Sequence, residues 1–393
     1  MTSAQRLTPP LADLLGELGL DPTQSGLHRL PGARSREFLC LPSHSRPQVL
    51  VPLTAGGADL VLERRSRTLP AKMLKQLVAT GLRSRTLPLL PVTRLRVDDP
   101  ALTELISWLG GEPDSRVGIL VGPPRANRKP VLRLLTAAGA TTAFAKIGTT
   151  PVAAELVRRE AAALELVGRA GWSSVRPPRL LRAGQWRDRE IVVTSALAGD
   201  AEERQPTALP IGPTREIAAT GARTDLAIGQ AAVLAAGNPL AWGRWGGDIA
   251  HLGDRLRTTI GDRRIPLGAS HGDWTPWNMA WQDQVLEVWD WERYAEAVPQ
   301  GFDVVHFAAS RVRADDPAEA EGRFLTELPT LLESCGVDAA LTDQVLALYL
   351  LSTARRYAAD LTAMPVAAVA TRLEWVLRLL RATTDRVELG AVA

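Results

Sequence analysis

Lysine and asparagine are almost missing from this chain. Its 393 residues hold four lysines (Lys72, Lys75, Lys129, Lys146) and three asparagines (Asn127, Asn238, Asn278). Arginine serves wherever a generic cation will do, so a lysine inside an apolar strand is a specific choice. Only two cysteines occur, Cys40 and Cys335, far apart and without metal-ligand spacing. That excludes a disulfide framework and a cysteine-based zinc site, and it leaves both as packing residues in a reduced, cytoplasmic protein. No apolar run is long enough to cross a bilayer, and Met1–Gln5 lacks a basic, apolar, cleavable pattern, so no membrane partner is expected. Internal repeats and low-complexity linkers are absent too.

The composition is that of a globular protein, 46% apolar, and the length exceeds what one hydrophobic core usually organises. The net charge of +3 conceals an asymmetry: residues 116–189 are strongly basic and residues 200–393 are acidic. The basic residues do not interleave with aromatics, which argues against a nucleic-acid partner. The acidic half suits a cationic small molecule or a solvated surface.

Three segments emerge. Residues 1–115 mix short strand-like runs (Phe38–Leu41, Gln48–Val51, Asp59–Leu62) with helical ones at Pro70–Leu82 and Ala101–Leu109. The second helix carries Asp99-Pro100 at its start and Gly110-Gly111 at its end. This segment reads as an accessory α/β module. Residues 116–197 predict strands at Val117–Val121, Val131–Leu135 and Thr142–Ile147, a helix from Pro151 to Val167, then strands near Arg179–Ala183 and Glu190–Ser195. Leu197–Asp200 reads as a hinge. Residues 198–393 are mainly helical, with helices expected over Arg215–Leu226, Gly229–Ala236, Gly247–Ile260, Ala318–Ser334, Leu341–Ala363 and Pro365–Thr384. A loop-and-strand insert at Ser270–Glu292 interrupts them.

That insert carries the chemistry. His271-Gly272-Asp273-Trp274-Thr275-Pro276-Trp277-Asn278 has the spacing H-G-D-x-x-x-x-N, and the strand-like run Val285–Trp289 then delivers Asp290. Phosphoryl transfer needs a carboxylate to orient the attacking hydroxyl, and an amide oxygen plus a second carboxylate to hold Mg²⁺. Asp273 fits the catalytic role, with His271 holding or assisting the loop, and Asn278 and Asp290 are hard-cation ligands. Glu292 is either a further metal contact or a surface charge. Trp274, Trp277, Trp289 and Trp291 either stack on a substrate ring or pack the loop. Asp303 and His306 read as anchors of the segment.

Upstream, Lys146 stands mid-strand in Ala-Phe-Ala-Lys-Ile, placed to bridge nucleotide phosphates. Glu160, on the following helix, is the expected ion-pair partner, with Glu155 and Glu165 as alternatives.

The ordered set Lys146, Glu160, hinge, Asp273, Asn278, Asp290, with Asp290-Trp291-Glu292 and Phe302-Asp303, resembles the aminoglycoside phosphotransferase and choline kinase family over about residues 116–310. His-Gly-Asp in place of His-Arg-Asp, and the lack of D-F-G and A-P-E, favour that family over protein kinases. The resemblance implies an α+β, bilobal protein-kinase-like fold with ATP and Mg²⁺ between the lobes. It implies a kinase acting on a hydroxyl of a small molecule: an aminoglycoside, amino sugar, sugar or amino alcohol. A peptide Ser or Thr recruited through 1–115, or a silent kinase-like scaffold with a partner enzyme, are the alternatives. Modules like 1–115 occur in relatives such as bacterial sugar kinases. Thr194 and Ala196, at the end of the last strand before the hinge, are expected to line the nucleotide. The loop Gly122–Pro130 departs from the family: it lacks G-x-G-x-x-G and holds three prolines that donate no N–H. Arg125, Arg128 and Lys129 are expected to compensate with side-chain cations.

Overall fold

The computed structural model describes residues 6–28, 37–62, 69–87, 92–122, 127–197, 204–221, 227–312 and 317–392. The chain divides into two compact units: Met1–Glu165 with Pro178–Asp200, and Leu166–Pro177 with Ala201–Ala393. Among the described residues no helix is long and apolar enough to cross a membrane.

The first unit is built on a nine-stranded antiparallel sheet. Its strands are β1 (Ser25–His28), β2 (Glu37–Ser43), β3 (Arg46–Pro52), β4 (Arg94–Val97), β5 (Arg116–Leu120), β6 (Val131–Leu135) and β7 (Thr141–Gly148). After β8 (Val175–Arg176), which belongs to the second unit, come β9 (Leu180–Trp186) and β10 (Arg189–Ser195). The spatial order is β1-β4-β2-β3-β5-β6-β7-β10-β9. Strands of 1–115 and of 116–197 thus share one sheet, joined where Val49 and Leu50 of β3 pair with Leu120 and Ile119 of β5. The β2–β3 and β5–β6 hairpins each offer an edge of unpaired N–H and C=O groups, and pairing satisfies both.

One sheet face buries Leu132, Ala143, Ala145, Ile147 and Val193 against α1 (Pro9–Glu17), with α4 (Ala101–Trp108) in the same core. Asp99 caps α4, accepting from the Ala101 N–H at 2.9 Å. The opposite face carries α2 (Gly57–Leu62) and α3 (Leu69–Arg83) over Val49 and Val51. The strand expected over Asp59–Leu62 is therefore the helix α2. Four residues, three of them apolar, satisfy either period, and tertiary packing decides. Leu60 is fully buried in a slot that exists because Gly118 has no side chain; a Cβ there would lie 2.1 Å from Leu60 Cδ1. In α3 the apolar residues do not all turn inward: Ala79 and Leu82 are buried, whereas Met73, Leu74 and Leu77 are exposed. On this face too, α5 (Pro151–Val167) packs so closely that a Cβ on Gly148 would lie 2.4 Å from Ala154 Cα.

The second unit is mostly helical: α6 (Ile211–Ala218), α7 (Gly246–Ile260), α8 (Phe302–Ser310), α9 (Pro317–Ser334), α10 (Thr342–Ala363) and α11 (Ala367–Val392). Helix α6 starts four residues earlier than expected, with Pro213 in its first turn, where no intrahelical N–H is needed. Residues 222–226, the rest of that expected helix, and the hinge at 198–200 lie outside the described residues. The helix expected over Gly229–Ala236 is instead two short 3₁₀ turns, Ile228–Gln230 and Ala232–Leu234. The Ile228 and Gly229 N–H groups are taken by the carbonyls of Arg263 and Gly261, just beyond α7.

Two small strand systems interrupt the helices. Strand β11 (Leu267–Ser270) pairs antiparallel with β14 (Ala295–Pro299), and the hairpin β12 (Met279–Gln282)–β13 (Val285–Val288) accepts β8 in parallel. Glu216 of α6 fastens the segment before β8, accepting from the N–H and hydroxyl groups of both Ser173 and Ser174.

Candidate active site

In the second unit, the loop between β11 and β12 carries His271–Asn278. Its backbone makes a turn only glycine accommodates. Gly272 has φ +79°, and a Cβ there would lie 2.3 Å from the Arg293 carbonyl oxygen. Asp303, in the first turn of α8, grips this loop from below. Its Oδ1 accepts from Ser270 Oγ (2.7 Å) and the Gly272 N–H (3.0 Å), and its Oδ2 accepts from the His271 N–H (2.7 Å). A buried carboxylate satisfied by three donors fixes the loop from one point.

His271 is fully buried and bound to main chain at both ring nitrogens. Nδ1 accepts from the Asp273 N–H (3.2 Å), which leaves Nε2 as the donor to the Trp289 carbonyl (3.1 Å). His271, expected to hold or assist the loop, is a brace between the loop and the residue just after β13. The histidine on the Asp273 carboxylate is His306, one turn after Asp303 on α8: its Nε2 lies 3.0 Å from Asp273 Oδ1. Asn278 Nδ2 donates to the other oxygen, Asp273 Oδ2, at 2.9 Å, and to the Asp273 carbonyl at 3.0 Å. Burial alone would raise the Asp273 carboxyl. The His306 hydrogen bond and the Arg356 charge outweigh it and hold the group well below the usual carboxylate range. Asp273 is therefore ionised, with each oxygen fixed by a donor.

The hairpin register Met279↔Val288, extended by the Trp289 N–H bonded to the Asn278 carbonyl (3.1 Å), sets Asn278 and Asp290 at one end of β12–β13. Because Nδ2 of Asn278 faces Asp273, its Oδ1 is the atom left for a cation. Asp290 sits in the left-handed region (φ +71°), unusual outside glycine and tolerated best by Asp and Asn. Glu292, whose role the sequence leaves open, is buried, and one of its carboxylate oxygens lies within 4.8 Å of one of Asp290's. Asp290 and Glu292, with the Asn278 amide oxygen, could offer a cation an all-oxygen donor set of the kind Mg²⁺ or Ca²⁺ takes.

The tryptophans divide by burial. Trp274 donates to Thr214 Oγ1 (3.0 Å) and Trp291 to the Val288 carbonyl (2.8 Å); both are fully buried. Trp291 also stacks on Trp172 and meets the His271 ring edge-on at 4.7 Å. These pack the loop. Trp277, 47% exposed, is the one in the loop open to a ligand.

In the first unit, Lys146 of β7 donates to Glu160 Oε1 at 2.6 Å. Glu155 instead pairs with Arg158 and Arg159 on the helix surface, and Glu165 is exposed. Antiparallel partners share a sheet face, so Val192, opposite Lys146, and Thr194, opposite Phe144, lie on the face that carries Lys146. The Ala196 N–H reaches the Thr142 carbonyl at 3.4 Å. Of the expected loop cations, Arg128 is ion-paired to Glu17 and Lys129 is half-buried; Arg125 lies outside the described residues. Gly118 accommodates Leu60, as above, while Gly122 has φ +69° with open space where a Cβ would project. Lys146→Met is expected to destabilise the first unit by up to about 3 kcal/mol, because it strips a buried carboxylate of this cation. Adding Glu160→Gln should restore part of that loss in urea titrations.

Tyr349 and Arg356 were not foreseen from the sequence. Both lie on α10, seven residues apart and hence on one helix face. Tyr349 OH is 3.0 Å from His306 Nδ1, and Arg356 Nη1 reaches the Gly272 carbonyl at 3.4 Å. That spacing was the available signal, but nothing local ties α10 to a loop some seventy residues earlier.

No family model matches the chain, and no curated protein does. Solved structures do resemble it. Aminoglycoside phosphotransferase APH(4)-Ia is 14% identical, covering 71% of this chain and 97% of its own, with a TM-score of 0.48. The amicoumacin kinase hAmiN, solved with AMP-PNP, Ca²⁺ and Ami, is 14% identical over 69% and 88% of the two chains, at a TM-score of 0.44. A choline/ethanolamine kinase family protein from Mesorhizobium loti is 18% identical over 69% and 92%, at 0.43. At TM-scores below 0.5 these likenesses carry no functional weight of their own; the residues do. In its motifs the chain resembles the aminoglycoside phosphotransferase and choline kinase family.

Proposed function

We propose that this chain is a kinase that transfers the γ-phosphoryl group of ATP to a hydroxyl of a small molecule. One observation carries the reading: an ionised Asp273 fixed through both oxygens on a loop whose next functional groups are Asn278 and Asp290. Asp273 would orient the acceptor hydroxyl and take its proton as the oxygen bonds to phosphorus and the bond to the ADP oxygen breaks. Asn278 Oδ1, Asp290 and Glu292 would hold Mg²⁺, which when bound neutralises charge on the phosphates. Lys146, oriented by Glu160, would hold the nucleotide phosphates, with Thr194 and Ala196 near the base. The acceptor class is an aminoglycoside, amino sugar, sugar or amino alcohol, and the acidic balance of residues 200–393 favours one that carries an amine.

Incubation with Mg²⁺ and γ-labelled ATP over a panel of such alcohols should label at least one of them. ATP with Mg²⁺ should raise the melting temperature. No labelled acceptor together with no thermal shift overturns the reading.

A further inference from the structure

A chain of hydrogen bonds runs from the loop to a buried tyrosine: Asn278 Nδ2 to Asp273 Oδ2 (2.9 Å), Asp273 Oδ1 to His306 Nε2 (3.0 Å), His306 Nδ1 to Tyr349 OH (3.0 Å). The two ends of the imidazole meet groups of opposite demand. An ionised carboxylate only accepts, so Nε2 must carry a proton. Nδ1 is then the acceptor, and Tyr349 donates to it.

The environment favours this arrangement. Burial pushes His306 below the ordinary imidazole value, against the opposing hydrogen bond and charge of Asp273, so the ring is neutral near pH 7. Burial also raises the Tyr349 phenol, which keeps its proton. The charged and titratable groups facing His306 are Asp273 from the loop, Asp303 from its own helix, and Arg356 and Tyr349 from α10.

We propose that His306, held in its Nε2–H tautomer by Tyr349, is a positioning residue for Asp273. This deepens the kinase reading and rests on it. Two residues of α8 divide the work. Asp303 fixes the backbone of the loop, and His306, three residues on along the same face of α8, fixes the rotamer of its carboxylate. With Oδ1 bound by His306 and Oδ2 by Asn278, the carboxylate plane cannot turn. Each oxygen keeps one further lone pair, which is what a substrate hydroxyl needs. His306 does not itself accept a proton from Asp273, because its facing nitrogen is already protonated. Its contribution is orientation, made before substrate binds.

Two measurements test this. In the first, His306→Leu removes the donor, His306→Gln returns an N–H donor of similar reach, and Tyr349→Phe removes the tautomer lock. His306→Leu is expected to lower kcat about 10–100-fold with the KM for ATP and acceptor within about twofold, and Gln to recover part of that. Tyr349→Phe should lower kcat by a smaller factor and shift the acid limb of the pH profile. Unchanged kcat in His306→Leu, or a loss confined to KM, overturns the proposal. The second needs no activity. In ¹⁵N-labelled wild type, the His306 ring signals, assigned by their loss in His306→Gln, should show a protonated Nε2 and a bare Nδ1. They should stay so below pH 6.5, and Tyr349→Phe should change the ratio. A protonated Nδ1 at neutral pH, or an ordinary titration near 6.5, overturns it. If the wild type phosphorylates nothing, the kinase reading falls by its own assay, while the ring signals still decide whether this relay exists. If His306→Leu does not fold, Tyr349→Phe and the wild-type spectrum stand in its place.

Discussion

Asp273→Asn is expected to abolish transfer, lowering kcat by about 10²–10⁴-fold, the range for removing a positioned acid–base group. The substitution is nearly isosteric, so the loss belongs to chemistry and hydrogen bonding, not to shape. The native carboxylate accepts from two sides, Asn278 Nδ2 at 2.9 Å and His306 Nε2 at 3.0 Å. An amide supplies one acceptor and one donor, so one of those N–H groups would face another N–H. The variant should therefore lose both the base and the carboxylate orientation, and KM for ATP should change little, because no nucleotide contact is assigned to Asp273. A steady-state comparison at saturating ATP measures this directly. A variant within tenfold of wild type would remove Asp273 from the centre of the reaction. Asp273→Ala is the harsher control: it leaves both donors without this acceptor, and on that account should also cost stability.

The candidate site is legible in the sequence because it is local. His271–Asn278 and Asp290 lie within twenty residues, and the strand-like run Val285–Trp289 between them is β13, whereas its partner β12 is not expected from the sequence. Lys146 was legible for a different reason: a charged residue in an apolar strand, in a chain that otherwise writes its cations as arginine. The α5 boundaries matched because Pro151 and a long Ala-, Glu- and Leu-rich run leave little ambiguity. What could not be read depends on distant partners. Asp59–Leu62 became helical because Gly118, nearly sixty residues away, leaves room for Leu60. The joining of β3 to β5 is a pairing of two edges, and no local pattern reports it. The exposed Met73, Leu74 and Leu77 show the converse, since an apolar stripe gives a helix's period but not which part of it is covered. From its place beside Asp303, His306 reads as an anchor, but its contact with the Asp273 carboxylate needs the fold. For the same reason His306→Ala is unsuitable as an activity-neutral control, whereas its distance in sequence from the motif invites that use.

Asp303→Asn is expected to be the most disruptive single change outside the motif itself. The native carboxylate accepts from Ser270 Oγ (2.7 Å), the His271 N–H (2.7 Å) and the Gly272 N–H (3.0 Å) and offers no donor. Asparagine retains one oxygen and presents an NH₂ where the other stood. If Oδ1 stays with Ser270 and Gly272, the new NH₂ faces the His271 N–H; if the amide is flipped, it faces Gly272 and Ser270 instead. In the first case the buried His271 N–H loses its acceptor; in the second the Gly272 N–H keeps only Ser270 Oγ (3.1 Å), which the new NH₂ would also face. Hydrogen bonds to a charged group contribute roughly 1.5–3 kcal/mol each, so the loss of one or two predicts a destabilisation of about 2–5 kcal/mol. Gly272 cannot relax to relieve the conflict, because its left-handed backbone already lies against the Arg293 carbonyl, where a Cβ would come within 2.3 Å. The strain should therefore pass into the loop and turn the Asp273 side chain away from its two donors. Two readouts separate these effects: the urea midpoint reports the lost hydrogen bonds, and kcat of the fraction that remains folded reports the displaced carboxylate. A loss of about 10²-fold or more in kcat at a temperature where the variant is fully folded is the expected result. A variant that is less stable yet turns over at the wild-type rate would show that the loop holds Asp273 in place without this clamp.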